Sequence, residues 1–132
     1  IRILLPFLKF YQLCPKRHNK EIIKTDNPCS NQRCAVSRSH QTAETHEHIE
    51  TLRTEHPDLE IVEQGSSYKF CLLAEGVVDY YIRTTQTSEW DTAAGELILL
   101  EAGGVTVAYP SGEPLVYNKE SLYNPWFVAR RR

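Results

Sequence analysis

Asp91 is the residue of this chain best placed to do chemistry. It stands in the run Glu89-Trp90-Asp91-Thr92-Ala93-Ala94-Gly95, and Glu101-Ala102-Gly103-Gly104 follows it. The pattern predicts a helix that starts beside Asp91, is buried through Leu97, Ile98, Leu99 and Leu100, and stops at a left-handed Gly103. Asp91 then occupies an N-cap or first-turn position, where unpaired backbone N–H groups and the positive end of the helix dipole favour a negative charge. Ala93, Ala94 and Gly95 leave no bulk on that turn, so a second backbone or a ligand has room to approach. The carboxylate has two readings. It caps a core helix, or it is held at a helix tip as a ligand for a metal ion or polar group.

The neighbouring motifs weigh on that choice. Residues 90–95 and 101–104 resemble the W-D-x-A-A-G and E-A-G-G signature of the inositol monophosphatase-like family of metal-dependent phosphatases. Gly65-Ser66-Ser67-Tyr68-Lys69-Phe70-Cys71-Leu72-Leu73-Ala74-Glu75-Gly76 resembles a helix of the family's 3′(2′),5′-bisphosphate nucleotidase branch. Val36-Ser37-Arg38-Ser39-His40 is similar to that branch's strand and turn before a helix, and residues 122–129 to its closing strand. The resemblance runs from Cys34 to Arg130. It divides the chain into an unassigned or divergent segment, 1–33, and a C-terminal family domain, 34–132. Inositol phosphatases tend to carry Asn where Lys69 stands and Glu where Arg83 stands. Cations at both places suit a second phosphate or a nucleotide, through charge-assisted hydrogen bonds that an Arg fork makes bidentate.

The resemblance implies an enzyme that hydrolyses adenosine 3′,5′-bisphosphate to AMP and phosphate, with Mg2+ assisting the attack of water. It implies that Asp91 ligates a metal, that Ser66 and Lys69 hold the nucleotide side, that Arg83 neutralises the non-reacting phosphate, and that His40 touches the nucleotide. Other readings are an inositol-phosphate phosphatase of the same fold, or a non-catalytic nucleotide-binding or structural remnant. The family's first metal-binding half, with its D-P-[IL]-D-G-[ST] segment, has no counterpart here; Pro57-Asp58 has the reverse order and no glycine after it. One carboxylate does not hold a hard divalent cation tightly enough to activate water. No catalytic residue is therefore assigned, and the expectation is a partial chain, inactive alone. The absence of methionine and the length of 132 residues agree with that expectation. The branch's usual Pro and Gly between its Arg and its Trp-Asp pair are missing from Thr84-Thr85-Gln86-Thr87-Ser88.

The elements that must position these residues read as follows. A strand at 34–38 leads to a polar helix over 42–55 with Ile49 and Leu52 on its buried stripe, then a strand at 59–63. Ser66 or Ser67 caps a helix through Glu75 that Gly76 ends, with a β-rich run at 77–83 before the Asp91 helix. Residues 105–108 and 115–117 bracket a Pro110-Ser111-Gly112-Glu113 turn and predict a hairpin; 127–129 forms the last strand. Strands alternating with helices argue for an α/β fold, a sheet covered by helices; the resemblance implies the C-terminal α/β domain of a layered sandwich.

The apolar residues 1–10 are too short to span a bilayer and lack a signal-peptide cleavage pattern. Lys16-Arg17-His18-Asn19-Lys20 reads as a solvated loop, and Ile22 and Ile23 as a short strand. Cys14, Cys29, Cys34 and Cys71 follow no C-x-x-C spacing; Cys71 reads as a core residue, and Cys29 and Cys34 with His18 or His40 have the wrong spacing for the common zinc fingers. A net charge of −2 suggests no nucleic-acid polymer as partner, and Arg130-Arg131-Arg132 reads as a frayed tail. The expectation is a reduced, cytoplasmic protein, at most at the inner face of the membrane, acting on a small bisphosphate nucleotide.

Overall fold

The strand β1 (Arg33–Val36) buries its last three residues in succession, as a strand covered on both faces must. The computed structural model describes residues 31–39 and 41–131, so His40 and the readings made of residues 1–30 lie outside the described residues. β1 pairs in parallel with β2 (Glu60–Glu63) on one side and β3 (Tyr80–Arg83) on the other. β7 (Phe127–Arg130) runs antiparallel beside β3, and β5 (Val105–Ala108) antiparallel beside β7, giving the order β2-β1-β3-β7-β5. The short strands β4 (Thr87–Ser88) and β6 (Tyr123–Asn124) form a separate antiparallel pair.

Alternation along the strands then sets the layers. Cys34, Val36 and Ile82 face Ile49 and Leu52 of α1 (Ala43–Glu55). Ala35, Tyr81, Phe127 and Ala129 face Phe70 and Leu73 of α2 (Tyr68–Ala74) and Leu99 of α3 (Glu89–Glu101). The result is helix, sheet, helix pair, which bears out the expected α/β fold with a sheet covered by helices. Cys34 lies fully buried in the α1-side core, where burial pushes its thiol up to about 12. It is a core residue; Cys71 is half-buried.

Each helix begins where side-chain chemistry lets it. Thr42 accepts from Thr45 N–H while Thr45 Oγ1 takes the Thr42 N–H, a reciprocal cap. For α3, Asp91 Oδ2 takes the Ser88 N–H, with Asp91 the third helical residue and Ser88 at the cap position. Gly103, at φ +86, ends α3 in the left-handed region as expected.

Four expectations need correction. Of the apolar run in α3 only Leu99 is fully buried, while Ile98 and Leu100 are exposed. Consecutive apolar residues point round the helix; the buried face is instead Thr92, Gly95, Glu96 and Leu99, at helical spacing. Ser67 occupies the α2 N-cap position in a helical conformation without a side-chain cap bond. The hairpin after β5 does not form: only Val107 and Pro114 bridge, and β5 takes β7 as its partner. The arginine tail is not frayed through Arg131, whose Nε pairs with Asp79 Oδ1 at 2.5 Å.

Gly95 marks the closest approach of α2 and α3. A Cβ there would sit 2.6 Å from Phe70 Cδ2 and 2.9 Å from Phe70 Cβ. Phe70 has no exposed surface through which to yield. Gly95→Val is expected to destabilise the chain by about 1–3 kcal/mol through overpacking, read as a lower urea midpoint with an unchanged m-value. An unchanged midpoint would contradict this packing.

Candidate functional site

Four of the five residues singled out for a site line one cavity of about 280 Å³: Ser66, Lys69, Arg83 and Asp91. They arrive from three directions. Ser66 and Lys69 come from the loop and first turn of α2, Arg83 from the end of β3, and Asp91 from the first turn of α3. His40, the fifth, lies outside the described residues.

Hydroxyl contacts hold the segment that lacks the branch's Pro and Gly. Thr84 Oγ1 lies 2.9 Å from Thr42 Oγ1 and 2.5 Å from Thr45 Oγ1, which ties the residue after Arg83 to the start of α1. Thr87 and Ser88 then pair with Asn124 and Tyr123. The Asn124 amide donates to Ser88 O at 2.8 Å, to Thr92 Oγ1 at 3.0 Å and to Thr87 Oγ1 at 3.1 Å. Arg83 and Asp91 are thereby brought to one cavity by side-chain anchors rather than by a restricted backbone.

Two cations, Lys69 and Arg83, meet at this cavity. Arg83 Nε is buried with no hydrogen-bond partner among the described residues, an arrangement that costs free energy unless a ligand oxygen meets it. Lys69 is not the surface cation its type suggests; it is 1% exposed, and its ammonium donates to Gln64 O at 2.9 Å and Ser66 O at 2.8 Å. Its Nζ also lies 4.8 Å from the centre of the Tyr81 ring. Burial, helped by the Arg83 charge, pulls the Lys69 ammonium down to about 8. Burial pushes the Tyr81 hydroxyl up to about 12, with the Arg83 charge opposing it.

Asp91 lines this cavity and already has one task, since its Oδ2 accepts the Ser88 N–H at 2.8 Å. Among the described residues it is the one carboxylate lining the cavity. Among the described residues no group of three or more His, Cys, Asp or Glu side chains stands ready to hold a metal ion. Magnesium demands a near-octahedral set of oxygens. The residues present thus do not by themselves fit that ion.

Several site residues escaped the sequence. Ser37, Ser39, Tyr81 and Thr87 also line the cavity. Ser37 and Ser39 lay within a motif already noted; nothing marked Tyr81 or Thr87. A buried polar group behind Asp91 was equally invisible. The Tyr117 hydroxyl donates to Glu96 Oε2 and lies 3.1 Å from Thr92 Oγ1 on α3. Burial pushes the Glu96 carboxyl up against the lowering effect of the Tyr117 hydrogen bond, while burial and Glu96 push the Tyr117 hydroxyl up. Glu89 receives the N–H groups of Asn118 and Lys119 and the Lys119 ammonium at 2.5 Å, the latter contact holding its carboxyl below its ordinary range. The loop before β6 is therefore fastened to the same turn of α3 that carries Asp91.

Fold and cavity together define a layered α/β unit with a carboxylate and two cations at one opening. The chain belongs to the inositol monophosphatase family, whose profile matches residues 10–126. It is 44% identical over 93 residues to the 3′(2′),5′-bisphosphate nucleotidase CysQ of Escherichia coli, covering 70% of this chain and 36% of that protein. The crystal structure of CysQ from Bacteroides thetaiotaomicron superposes with a TM-score of 0.73 at 46% identity, covering 76% of this chain and 37% of that one. Inositol monophosphatase II of Staphylococcus aureus shares the fold at 16% identity and a TM-score of 0.60. The chain thus spans little more than a third of these two CysQ proteins. Among the described residues no helix is long and apolar enough to cross a membrane.

Proposed function

We propose that this chain forms the nucleotide-holding side of a metal-dependent phosphatase acting on adenosine 3′,5′-bisphosphate, releasing phosphate and AMP in the cytoplasm. The observation that carries the reading is the cavity itself, where Arg83 has a buried donor without a partner among the described residues, beside the Lys69 ammonium. A second phosphate satisfies both cations, whereas a neutral sugar ring supplies hydroxyls and no charge. In this reading Arg83 grips the non-reacting phosphate, Lys69 offers it the N–H not used by the loop, and Ser66 and His40 contact the ribose or base. Asp91 contributes one ligand to a magnesium site whose remaining oxygens come from outside residues 34–132. Similarity to proteins with CysQ in their names supports the branch.

Grafting tests this directly. A hybrid in which residues 34–130 replace the matching segment of the E. coli nucleotidase is expected to hydrolyse adenosine 3′,5′-bisphosphate in preference to inositol 1-phosphate. The opposite preference would sink the branch assignment, and a folded hybrid inactive on both would favour a non-catalytic remnant. Arg83→Met in the same hybrid is expected to weaken the nucleotide by about 2 kcal/mol, roughly thirtyfold, by removing charge-assisted hydrogen bonds. An unchanged dissociation constant would take Arg83 out of the phosphate site.

A further inference from the structure

Ser66 is held at φ +56, in the left-handed region that an L residue enters only at a cost, and no glycine relieves it at that position. Such a conformation persists where its surroundings over-determine it. At the start of the turn, Gln64 N–H donates to Val36 O at 3.1 Å, fastening the loop to the end of β1. At its other end the Tyr68 N–H reaches Ser66 Oγ at a marginal 3.4 Å. Ser67 makes no side-chain cap bond, and α2 is only seven residues long, so the helix end adds only the backbone bond from Phe70 N–H to Ser67 O at 3.0 Å.

The restraint comes from within α2. Lys69 curls back so that its ammonium bridges the carbonyls of Gln64 and Ser66, one on each side of Gly65. Both carbonyl oxygens are gathered on one cation, and the Tyr81 ring and the surrounding core fix the place of that cation. Among the described residues no carboxylate is paired with this ammonium, and the nearby charge is that of Arg83. Two of its three N–H groups therefore serve the loop, and one is left for the cavity.

We propose that Lys69 is a positioning residue, whose ammonium staples the carbonyls of Gln64 and Ser66 and so holds the left-handed turn that walls the cavity before any ligand arrives. Gly65, Ser66 and Ser67 all line the cavity, so the staple sets the shape a ligand meets and spares it the cost of ordering the loop. Arg83, whose buried Nε has no partner among the described residues, is left as the cation that a ligand anion must satisfy. The consequence for binding rests on the function proposed above; the staple itself does not.

The test therefore reads the loop in the ligand-free chain, by NMR order parameters of the Gly65, Ser66 and Ser67 amides. In the wild type these are expected near the rigid value of about 0.85, and in Lys69→Met below about 0.6, with α1 unchanged. Lys69→Gln keeps two N–H donors without the charge and is expected to restore part of the order; Arg83→Met is expected to leave the loop as in the wild type. Loop order in Lys69→Met equal to the wild type overturns the proposal. So does an equal loosening of loop and α1 in Met and Gln variants alike, which would make Lys69 a general packing residue. Failure of the wild-type chain to bind a nucleotide would count against the proposed function and leave this readout unchanged.

Discussion

In the hybrid enzyme, Asp91→Asn is expected to lower phosphate release by about a thousandfold, the loss of about 4 kcal/mol of charge stabilisation at the reacting phosphate. The substitution is informative because of what it leaves in place. Asp91 Oδ2 caps the Ser88 N–H at 2.8 Å, and the Asn carbonyl oxygen still accepts that bond, though without the charge. The anchors behind the turn, Asn124 on Ser88 O and Thr92, and Glu89 on Asn118 and Lys119, do not involve the Asp91 carboxylate at all. The variant should unfold within about 1 kcal/mol of the wild type, since only the cap is altered. A large loss of activity with an intact fold separates a ligand from a cap. Retained activity would return Asp91 to the capped-core-helix reading.

The largest effect on stability belongs to Phe70. Its ring stacks on Phe127 at 5.8 Å between centroids, meets Tyr81 edge-on at 5.3 Å, and fills the space that Gly95 leaves open. It is thus the point where α2, α3, β3 and β7 come together. Phe70→Ala is expected to cost about 3–5 kcal/mol, the transfer term plus the cavity left behind. Domains of this kind are stable by about 5–15 kcal/mol, so the loss would leave little margin. Urea denaturation followed by circular dichroism reads the change. A cost below about 1 kcal/mol would mean that the site is far less closely packed than its geometry indicates.

Much of this architecture was legible because it rests on local pattern. The strand runs at β1, β3 and β7, the buried helical stripe of Ile49 and Leu52, and the helix-ending glycines at 76 and 103 are each visible in a few consecutive residues. Burial within α3 was misread because four apolar residues in a row carry no period, and tertiary packing chose Leu99 alone among them for full burial. The hairpin after β5 failed for a different reason: the return makes its one bridge to Val107 at Pro114, and a proline has no N–H with which to extend a ladder.

The site divides in the same way. Ser66, Lys69, Arg83 and Asp91 could be named from motifs, because their types and order survive in a linear string. What Lys69 does could not. Its burial and its two carbonyl partners depend on a loop folding back beneath α2, and a lysine in sequence carries no mark of that. The polar group of Glu96, Tyr117, Thr92 and Asn124 joins residues up to 32 apart, and no short window contains it.

Calorimetric titration of this chain with adenosine 3′,5′-bisphosphate, with and without magnesium, bears most directly on the cavity as a nucleotide-holding site. The expected result is weak, saturable binding that barely responds to magnesium, falls roughly thirtyfold in Arg83→Met, and is accompanied by no release of phosphate. Failure of the wild type to saturate, or equal affinity in Arg83→Met, would contradict the nucleotide site; phosphate release by the chain alone would contradict its dependence on ligands from elsewhere.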